Sequence, residues 1–288
     1  MTTKTKSRRP RLLTVGLPTL AVTGGVGVLG YLRNRLQHSR VFLPDRYPDG
    51  VWDPAAFGLS AEDIWFRSQD DIELHGWWMP HSAARGTLLY CHGNTGSIAH
   101  RIGVFRHLQR LRVNLLAFDY RGYGRSGGSP SEPGLFLDVR AAHDYLVEDL
   151  AQDPRQIILF GHSLGGAVAV DCALDRPAAG LVVQSSFTHI RDAAKAMFPT
   201  LPLHLAATRQ FRSIDKVGKI GIPKLFIHGD CDETVPVDLG RKLHQAAREP
   251  KELYIVRRAG HNDVHRYGGK RYLRRLSRFR NRCLKQNR

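Results

Sequence analysis

The chain has 288 residues, of which 42% are hydrophobic and 24% are charged, and this composition can bury a large core, which excludes a disordered protein. Its formal net charge of +17 lies at the two ends, because residues 1–50 carry +7, residues 51–263 carry zero and residues 264–288 carry +10. The neutral middle region offers no basic stripe that would follow a phosphate backbone, so we expect no nucleic-acid partner.

The first predicted element is a membrane anchor. Residues 1–11 are rich in lysine and arginine, and an uncharged, mostly apolar run follows from residue 12 to residue 32. A run of this length can cross a bilayer. A cleaved signal peptide is the main alternative, but no clear Ala-x-Ala site follows the run, so we predict an uncleaved transmembrane helix over 12–32.

The orientation of this anchor follows from the charges beside it. Five basic residues precede the span and four follow it within about fifteen residues, which slightly favours an N-terminus on the inside. We therefore expect a single-pass membrane protein with its globular part on the extracytoplasmic side.

A linker is predicted over 33–55, because residues 44–54 are rich in proline, aspartate and glycine. A globular domain over 56–288 follows. It opens with a predicted β-hairpin, in which apolar residues 64–67 and 72–78 flank the polar residues 68–71.

Strand patterns then alternate with helix patterns along the domain. Buried strands are predicted at 87–91, 113–118, 156–160, 181–183, 224–227 and 253–256. Helices are predicted between them, around 98–110, 135–150 and 239–247 and directly after residue 163. This alternation predicts an α/β fold with a mostly parallel central sheet and helices on both faces. Reactive groups of such sheets lie just beyond the carboxyl ends of the strands.

Ser163 follows one of these strands in the sequence Gly161-His162-Ser163-Leu164-Gly165. A serine in a Gly-x-Ser-x-Gly turn between strand and helix is held in strained geometry with its hydroxyl clear of the sheet. Because a serine hydroxyl is a weak nucleophile at neutral pH, it needs a base and a group that orients the base.

Two later loops supply such groups in the order acid, then histidine. The loop after the strand 224–227 contains Asp230, Asp232 and Glu233, and the loop after the strand 253–256 contains Gly260-His261. Chain order does not separate the three carboxylates. His265 could compete with His261, but it lies away from the Gly-His turn.

Together these segments resemble the serine hydrolases of the α/β-hydrolase family. The matching segments, in chain order, are His92-Gly93-Asn94 and the segments 119–128, 161–166, 229–236 and 260–263. The likeness covers roughly residues 60–285. It is closest to the membrane-anchored α/β-hydrolase-domain proteins, a branch that includes protein depalmitoylases.

The resemblance implies roles for individual residues. The family pattern Gly-x-x-Asp-x-x-Val-Pro implies Asp232 as the catalytic acid, with Ser163 as nucleophile and His261 as base. The backbone N–H groups of Asn94 and Leu164 fit the oxyanion hole. His162 in this family more often packs beneath the turn than acts in catalysis.

Two further segments bear on the substrate and the membrane. A short lid is expected over about 187–222, in which Met197, Phe198, Leu201 and Leu203 could line an acyl-binding surface. A basic helix is expected over about 270–285, because apolar residues recur at helical spacing with arginines between them. Its basic face is consistent with contact to anionic membrane lipid.

The sequence therefore predicts a membrane-anchored serine hydrolase that cleaves a small acyl ester, a thioester or an S-acylated protein. The alternatives are an amidase or peptidase of the same fold, and a non-catalytic binding or scaffold module. We expect no metal and no organic cofactor. The four cysteines, at 91, 172, 231 and 283, lie far apart without metal-ligand spacing, and Cys91 and Cys172 fall in apolar runs typical of core residues.

Overall fold

The structure, a computed structural model, describes residues 42–197 and 210–286. Ten strands lie in these ranges: β1 (Leu43–Pro44), β2 (Glu62–Arg67), β3 (Glu73–Met79), β4 (Thr87–Cys91), β5 (Thr95–Gly96), β6 (Asn114–Phe118), β7 (Ile157–His162), β8 (Gly180–Gln184), β9 (Lys224–Gly229) and β10 (Lys251–Val256). The same ranges contain seven α-helices: α1 (Ile102–Gln109), α2 (Glu132–Glu148), α3 (Leu164–Cys172), α4 (Ile190–Met197), α5 (Ser213–Val217), α6 (Val237–Ala246) and α7 (Val264–Gln286).

Eight of the strands form one central sheet in the order β10-β9-β8-β7-β4-β6-β3-β2. The predicted hairpin is present as β2 and β3, which pair antiparallel, and β3 also pairs antiparallel with β6. The remaining neighbours pair in parallel. The predicted α/β class with a mostly parallel sheet is therefore confirmed.

Side chains of the central strands alternate between two buried clusters, one on each face of the sheet. Leu89 and Leu159 pack in the cluster that contains residues of α2, α3 and α6. Leu88 and Ile158 pack in the cluster that contains residues of α1 and α7. Because both faces of these strands are buried, they read in the sequence as continuous apolar runs. Cys91 and Cys172 are buried core residues, as predicted.

Residues 42–55 pack on the domain, although the sequence pattern predicts a linker there. Phe42 is only 3% exposed, Leu43 pairs with Thr95 in a separate two-stranded parallel sheet, and the Trp52 ring contacts the ring of Trp77. Phe42 and Trp52 make the side-chain contacts, whereas Leu43, Tyr47 and Val51 stay exposed.

The predicted transmembrane helix over 12–32, the basic segment before it and residues 33–41 lie outside the described residues. Within the ranges that the structure describes, no helix has both the length and the apolar character needed to cross a bilayer. The predicted lid is described in part and contains α4 and α5. The side chain of Met197 and residues 198–209, with the predicted acyl-binding residues Phe198, Leu201 and Leu203, also lie outside the description.

The last helix, α7, changes direction at Gly269, whose φ of 45° and ψ of −128° are not helical. Beyond this point Tyr272, Leu276 and Phe279 are buried against the sheet. The first turn of α7 therefore belongs to the carboxyl edge of the sheet, where the loops that follow β7, β9 and β10 also lie.

Candidate active site

Ser163 occupies a sharp turn between β7, which ends at His162, and α3, which begins at Leu164. Its φ of 55° and ψ of −118° are strained for a residue with a side chain. The chain can turn here because its neighbours are glycines: a Cβ on Gly161 would lie 2.2 Å from the Gly165 carbonyl oxygen, and a Cβ on Gly165 would lie 2.0 Å from the Cys91 carbonyl oxygen.

Hydrogen bonds from β8 and the residues after it hold the backbone of Ser163. Its N–H donates to the Gln184 carbonyl (2.9 Å), and its carbonyl accepts from the Ser186 hydroxyl (2.8 Å). Strained residues persist when the surrounding structure fixes them in this way. The Ser163 hydroxyl is therefore presented in one position at the carboxyl end of β7.

Three predicted site residues meet in one hydrogen-bonded chain. His261 Nε2 lies 3.0 Å from Ser163 Oγ, and His261 Nδ1 lies 2.8 Å from Asp232 Oδ2. With its proton on Nδ1, a neutral His261 donates to Asp232 and accepts from the Ser163 hydroxyl. This arrangement can remove the hydroxyl proton as the oxygen attacks an electrophile.

The Asp232 carboxylate is fully buried and receives hydrogen bonds on both oxygens. Its Oδ1 accepts from the N–H groups of Thr234 (3.0 Å) and Val235 (2.7 Å). Burial by itself would raise the pKa of Asp232, but hydrogen bonds from His228 and His261, with the Val235 amide, outweigh it and hold the pKa well below its ordinary value. Asp232 is therefore ionised at neutral pH.

The other two carboxylates in this loop have different surroundings. Asp230 accepts a hydrogen bond from the Arg258 N–H, and Glu233 is exposed. Among the described residues, the carboxylate that contacts His261 is that of Asp232. The structure thus separates three candidates that chain order leaves open.

His228, which the sequence pattern did not indicate, also contacts the carboxylate of Asp232. Its Nε2 lies 2.8 Å from the Val235 carbonyl oxygen and 3.3 Å from Asp232 Oδ2. On its other side the ring lies against α6, since a Cβ on Gly240 would be 2.3 Å from His228 Nδ1. The sequence pattern that could have identified His228 is a histidine at the end of a buried strand, four residues before Asp232.

His162 lies beside the nucleophile and supports the histidine loop. Its Nε2 donates to the carbonyl oxygen of His261 (3.1 Å), and the two rings lie 5.1 Å apart. Burial, followed by the proximity of His261, lowers the pKa of His162 to about 3, so this ring is neutral at neutral pH. His265 instead packs on the ring of His107 at 5.6 Å.

Leu164 and Asn94, the two predicted oxyanion donors, belong to segments that flank Ser163. Leu164 is the first residue of α3, so its N–H has no acceptor within the helix. The loop that carries Asn94 passes beside the nucleophile, since a Cβ on Gly93 would lie 3.4 Å from Ser163 Cβ. The Tyr123 hydroxyl donates to the Asn94 carbonyl (2.9 Å) and thereby fixes this loop.

No group of three or more histidine, cysteine, aspartate or glutamate side chains that could hold a metal ion occurs within residues 42–197 and 210–286. The described geometry brings together a serine oxygen, an imidazole in contact with it and a buried carboxylate.

This chain is similar to a family of known proteins, to individual proteins of several organisms and to solved structures. Residues 82–213 match the family model described as "Serine aminopeptidase, S33". The chain is 36% identical to Uncharacterized protein Rv2307c of Mycobacterium tuberculosis over 91% of this chain and 94% of that protein. It is 34% identical to Alpha/beta hydrolase domain-containing protein WAV2 of Arabidopsis thaliana, over 87% and 88%. The esterase Pf2001 of Pyrococcus furiosus has a similar fold, with a TM-score of 0.73, 23% identity and coverage of 84% and 98%.

Proposed function

Because this chain belongs to the α/β-hydrolase family, we propose that it is a serine hydrolase that cleaves a carboxylic ester or thioester through an acyl-Ser163 intermediate. One observation carries the proposal: the hydrogen-bonded chain from Ser163 Oγ through His261 to the buried carboxylate of Asp232. The strained backbone of Ser163 supports it independently, because strain of this kind is retained at functional sites.

In the acylation step, Ser163 Oγ attacks the carbonyl carbon of the substrate while its proton passes to His261 Nε2. The carbonyl oxygen becomes an oxyanion that the N–H groups of Leu164 and Asn94 stabilise. The tetrahedral intermediate then breaks the bond to the leaving oxygen or sulfur, which takes the proton from His261. The products are the acyl-enzyme and a free alcohol or thiol.

Deacylation repeats these steps with water as the nucleophile. His261 removes one proton from the water as the water oxygen attacks the acyl carbon, and the same N–H groups stabilise the second oxyanion. Collapse of this intermediate releases the carboxylic acid and returns the proton to Ser163 Oγ. Asp232 stays ionised throughout and holds His261 in the tautomer that both steps need.

An aminopeptidase is the second candidate, favoured by the description of the matching family model. Amide cleavage uses the same three residues but requires His261 to protonate a poor leaving group, an amine. A substrate with a free α-amino group separates the two candidates directly: aminoacyl p-nitroanilides report peptidase activity, whereas p-nitrophenyl esters of graded chain length and S-acylated peptides report esterase and thioesterase activity.

The first test is covalent labelling by a fluorophosphonate probe, followed by mass spectrometry of the labelled peptide. We expect one adduct, on Ser163, and none in the Ser163→Ala variant. Ser82→Ala is the control, because Ser82 is an exposed serine between β3 and β4, at the opposite end of β4 from the site. Absence of an adduct on folded protein would refute the hydrolase and favour a non-catalytic binding module.

We also propose that residues 12–32 anchor this domain to a membrane with the domain on the extracytoplasmic side, and that the basic face of α7 contacts anionic lipid. The uncharged run over 12–32 and the surplus of +10 over 264–288 support the proposal. Protease protection in sealed vesicles tests it. Digestion of the domain only from the cytoplasmic face would contradict the orientation, and release of the protein by alkaline carbonate would contradict the anchor.

A further inference from the structure

A small cavity lies next to the histidine loop, between the start of α1 and the start of α7. Its volume is about 240 Å³. Among the residues that line it, His162 is the chain neighbour of Ser163 and Asn262 is the chain neighbour of His261. The cavity is therefore distinct from the reacting atoms but touches both elements that carry them.

Cationic side chains line this cavity. The charge comes from the guanidinium groups of Arg101 and Arg266, since burial lowers the pKa of the His265 imidazole that lies beside them, and none of the described lining residues is an aspartate or a glutamate. The guanidinium of Arg101 donates to the Thr95 carbonyl through one terminal nitrogen, while its buried Nε has no acceptor within the described part of the chain. The nearby Asp263 carboxylate is engaged by the Gly260 N–H (2.7 Å). The lining thus carries positive charge without a matching carboxylate.

Two deeply buried polar side chains at the ends of strands also face the cavity with unused donors. Tyr90, on β4, is 2% exposed, and its hydroxyl has no hydrogen-bond partner among the described residues. Gln184, on β8, is 5% exposed, and its Oε1 accepts from the Tyr272 hydroxyl (2.8 Å), which leaves its NH₂ group without a described acceptor. Both donors are open to the cavity rather than enclosed by protein, so they are available to a ligand that carries acceptor oxygens.

The first turn of α1 adds backbone donors. The N–H groups of Ile102 and Gly103 have no acceptor within the helix, and a Cβ built on Gly103 would have no atom within 4 Å, so a ligand can approach the backbone closely. Residues of α1, of α7 and of two strands therefore line one small volume.

We propose that this cavity binds a small oxyanion, a phosphate or carboxylate group, beside the triad. The bound anion links Arg101 at the start of α1 to Arg266 at the start of α7, and it contacts the loop that positions His261. Two sources have this chemistry: a free anion that modulates the enzyme, and an anionic group on the leaving part of the substrate. The effect on turnover rests on the proposed function, whereas binding of the anion does not.

Binding is tested by calorimetric titration of the full-length protein with inorganic phosphate, at constant ionic strength and with chloride as the reference anion. Tyr90→Phe removes only the hydroxyl and keeps the ring contact with Phe160, and Arg266→Gln removes an exposed charge. Each is expected to weaken phosphate binding by about tenfold. Arg271→Gln, an exposed arginine on the same helix but outside the cavity, serves as the matched control and should bind as the wild type does.

Equal affinity in all four proteins, or no saturable binding to the wild type, would overturn the proposal. Melting temperatures in phosphate-free buffer show whether each variant is folded. Phosphate binding is measured without catalysis. A protein that lacks hydrolase activity but binds phosphate with the expected differences between variants therefore refutes the proposed function and leaves the cavity assignment intact.

The source of the anion is resolved with two esters of the same acyl group, one of glycerol and one of glycerol 3-phosphate. If the substrate supplies the anion, Arg266→Gln lowers kcat/KM about tenfold for the phosphorylated ester only, and free phosphate competes with that ester. If a free ion occupies the cavity, added phosphate changes kcat for the glycerol ester as well. Phosphate that binds but alters neither reaction would refute the link to the triad.

Discussion

Replacing Asp232 by asparagine changes one atom of the proposed triad and leaves the shape of the site unchanged. The N–H groups of Thr234 and Val235 both donate to Oδ1, so the amide oxygen of the asparagine must take that position. Its NH₂ group then replaces Oδ2 and faces His261 Nδ1, at present 2.8 Å away. Because two donors cannot face each other, His261 must move its proton from Nδ1 to Nε2.

The expected loss follows from this change of tautomer. With its proton on Nε2, His261 donates toward Ser163 Oγ and can no longer accept the hydroxyl proton. Loss of the correct tautomer at a serine-histidine-aspartate triad lowers kcat on the order of 10⁴-fold, equivalent to about 5 kcal/mol of transition-state stabilisation. The variant also replaces the charge-assisted hydrogen bond between His261 and the carboxylate, worth roughly 1.5–3 kcal/mol, by a neutral one in which the asparagine NH₂ donates to Nδ1, worth roughly 0.5–1.5 kcal/mol.

The assay is steady-state hydrolysis of a p-nitrophenyl ester by Asp232→Asn, measured well below its melting temperature. Asp230→Asn is the control, because Asp230 accepts from the Arg258 N–H rather than from His261. Its kcat should stay within a few-fold of the wild type. If Asp232→Asn kept more than about a tenth of the wild-type kcat, or if Asp230→Asn suffered the larger loss, the assignment of the acid would be wrong.

Three further predictions concern buried groups. Gly165→Ala should abolish fluorophosphonate labelling and lower the melting temperature, because its Cβ would lie 2.0 Å from the Cys91 carbonyl oxygen. Gly221→Ala is the control and should do neither, because no atom would lie closer than 3.6 Å to its Cβ. Burial raises the pKa of Asp119 to about 7, so between pH 4 and pH 7 the folded state retains a proton that the unfolded state has lost. The unfolding free energy of the wild type should therefore fall over this range relative to that of Asp119→Asn. Chemical denaturation at several pH values measures the difference, and parallel pH curves would contradict the prediction. Burial lowers the pKa of Lys224 to about 8, so between pH 8 and pH 10 the unfolded lysine alone holds its proton. The wild type should therefore gain stability over this range relative to Lys224→Met. A difference in unfolding free energy that does not change with pH would exclude this account.

The sequence was sufficient for features that depend on local pattern and chain order. Strands buried on both faces appear as apolar runs, and the turn at Ser163 requires glycines at fixed offsets, so both are visible without a structure. The order of Ser163, the acidic loop and His261 limits the candidates further. The choice of Asp232 over Asp230 needed the family pattern, because neighbouring carboxylates in one loop differ only in where their side chains point.

Features that depend on contacts between distant segments were not predictable. Phe42 reads as part of a linker, yet it is buried in the core, because its contacts with Phe211 join segments far apart in the chain. The cavity beside the histidine loop requires Tyr90, Gln184 and Arg266 to converge from three elements, and no spacing in the sequence reports that. His228 was missed for a different reason: it lies only four residues before Asp232, but the turn that brings the carboxylate back toward β9 is not visible in the spacing.

The two imidazoles at Asp232 have different roles in the proposed mechanism. His228 Nε2 lies 2.8 Å from the Val235 carbonyl oxygen and 3.3 Å from Asp232 Oδ2, so its main hydrogen bond closes the turn. Its effect on the carboxylate is to help lower the pKa of Asp232. The carboxylate is therefore ionised and oriented before His261 receives a proton. When His261 becomes an imidazolium, it faces a negative charge already in place, and no group has to reorganise during the transfer. A site built in this way stabilises the charge that develops in the reaction more than it stabilises the resting state.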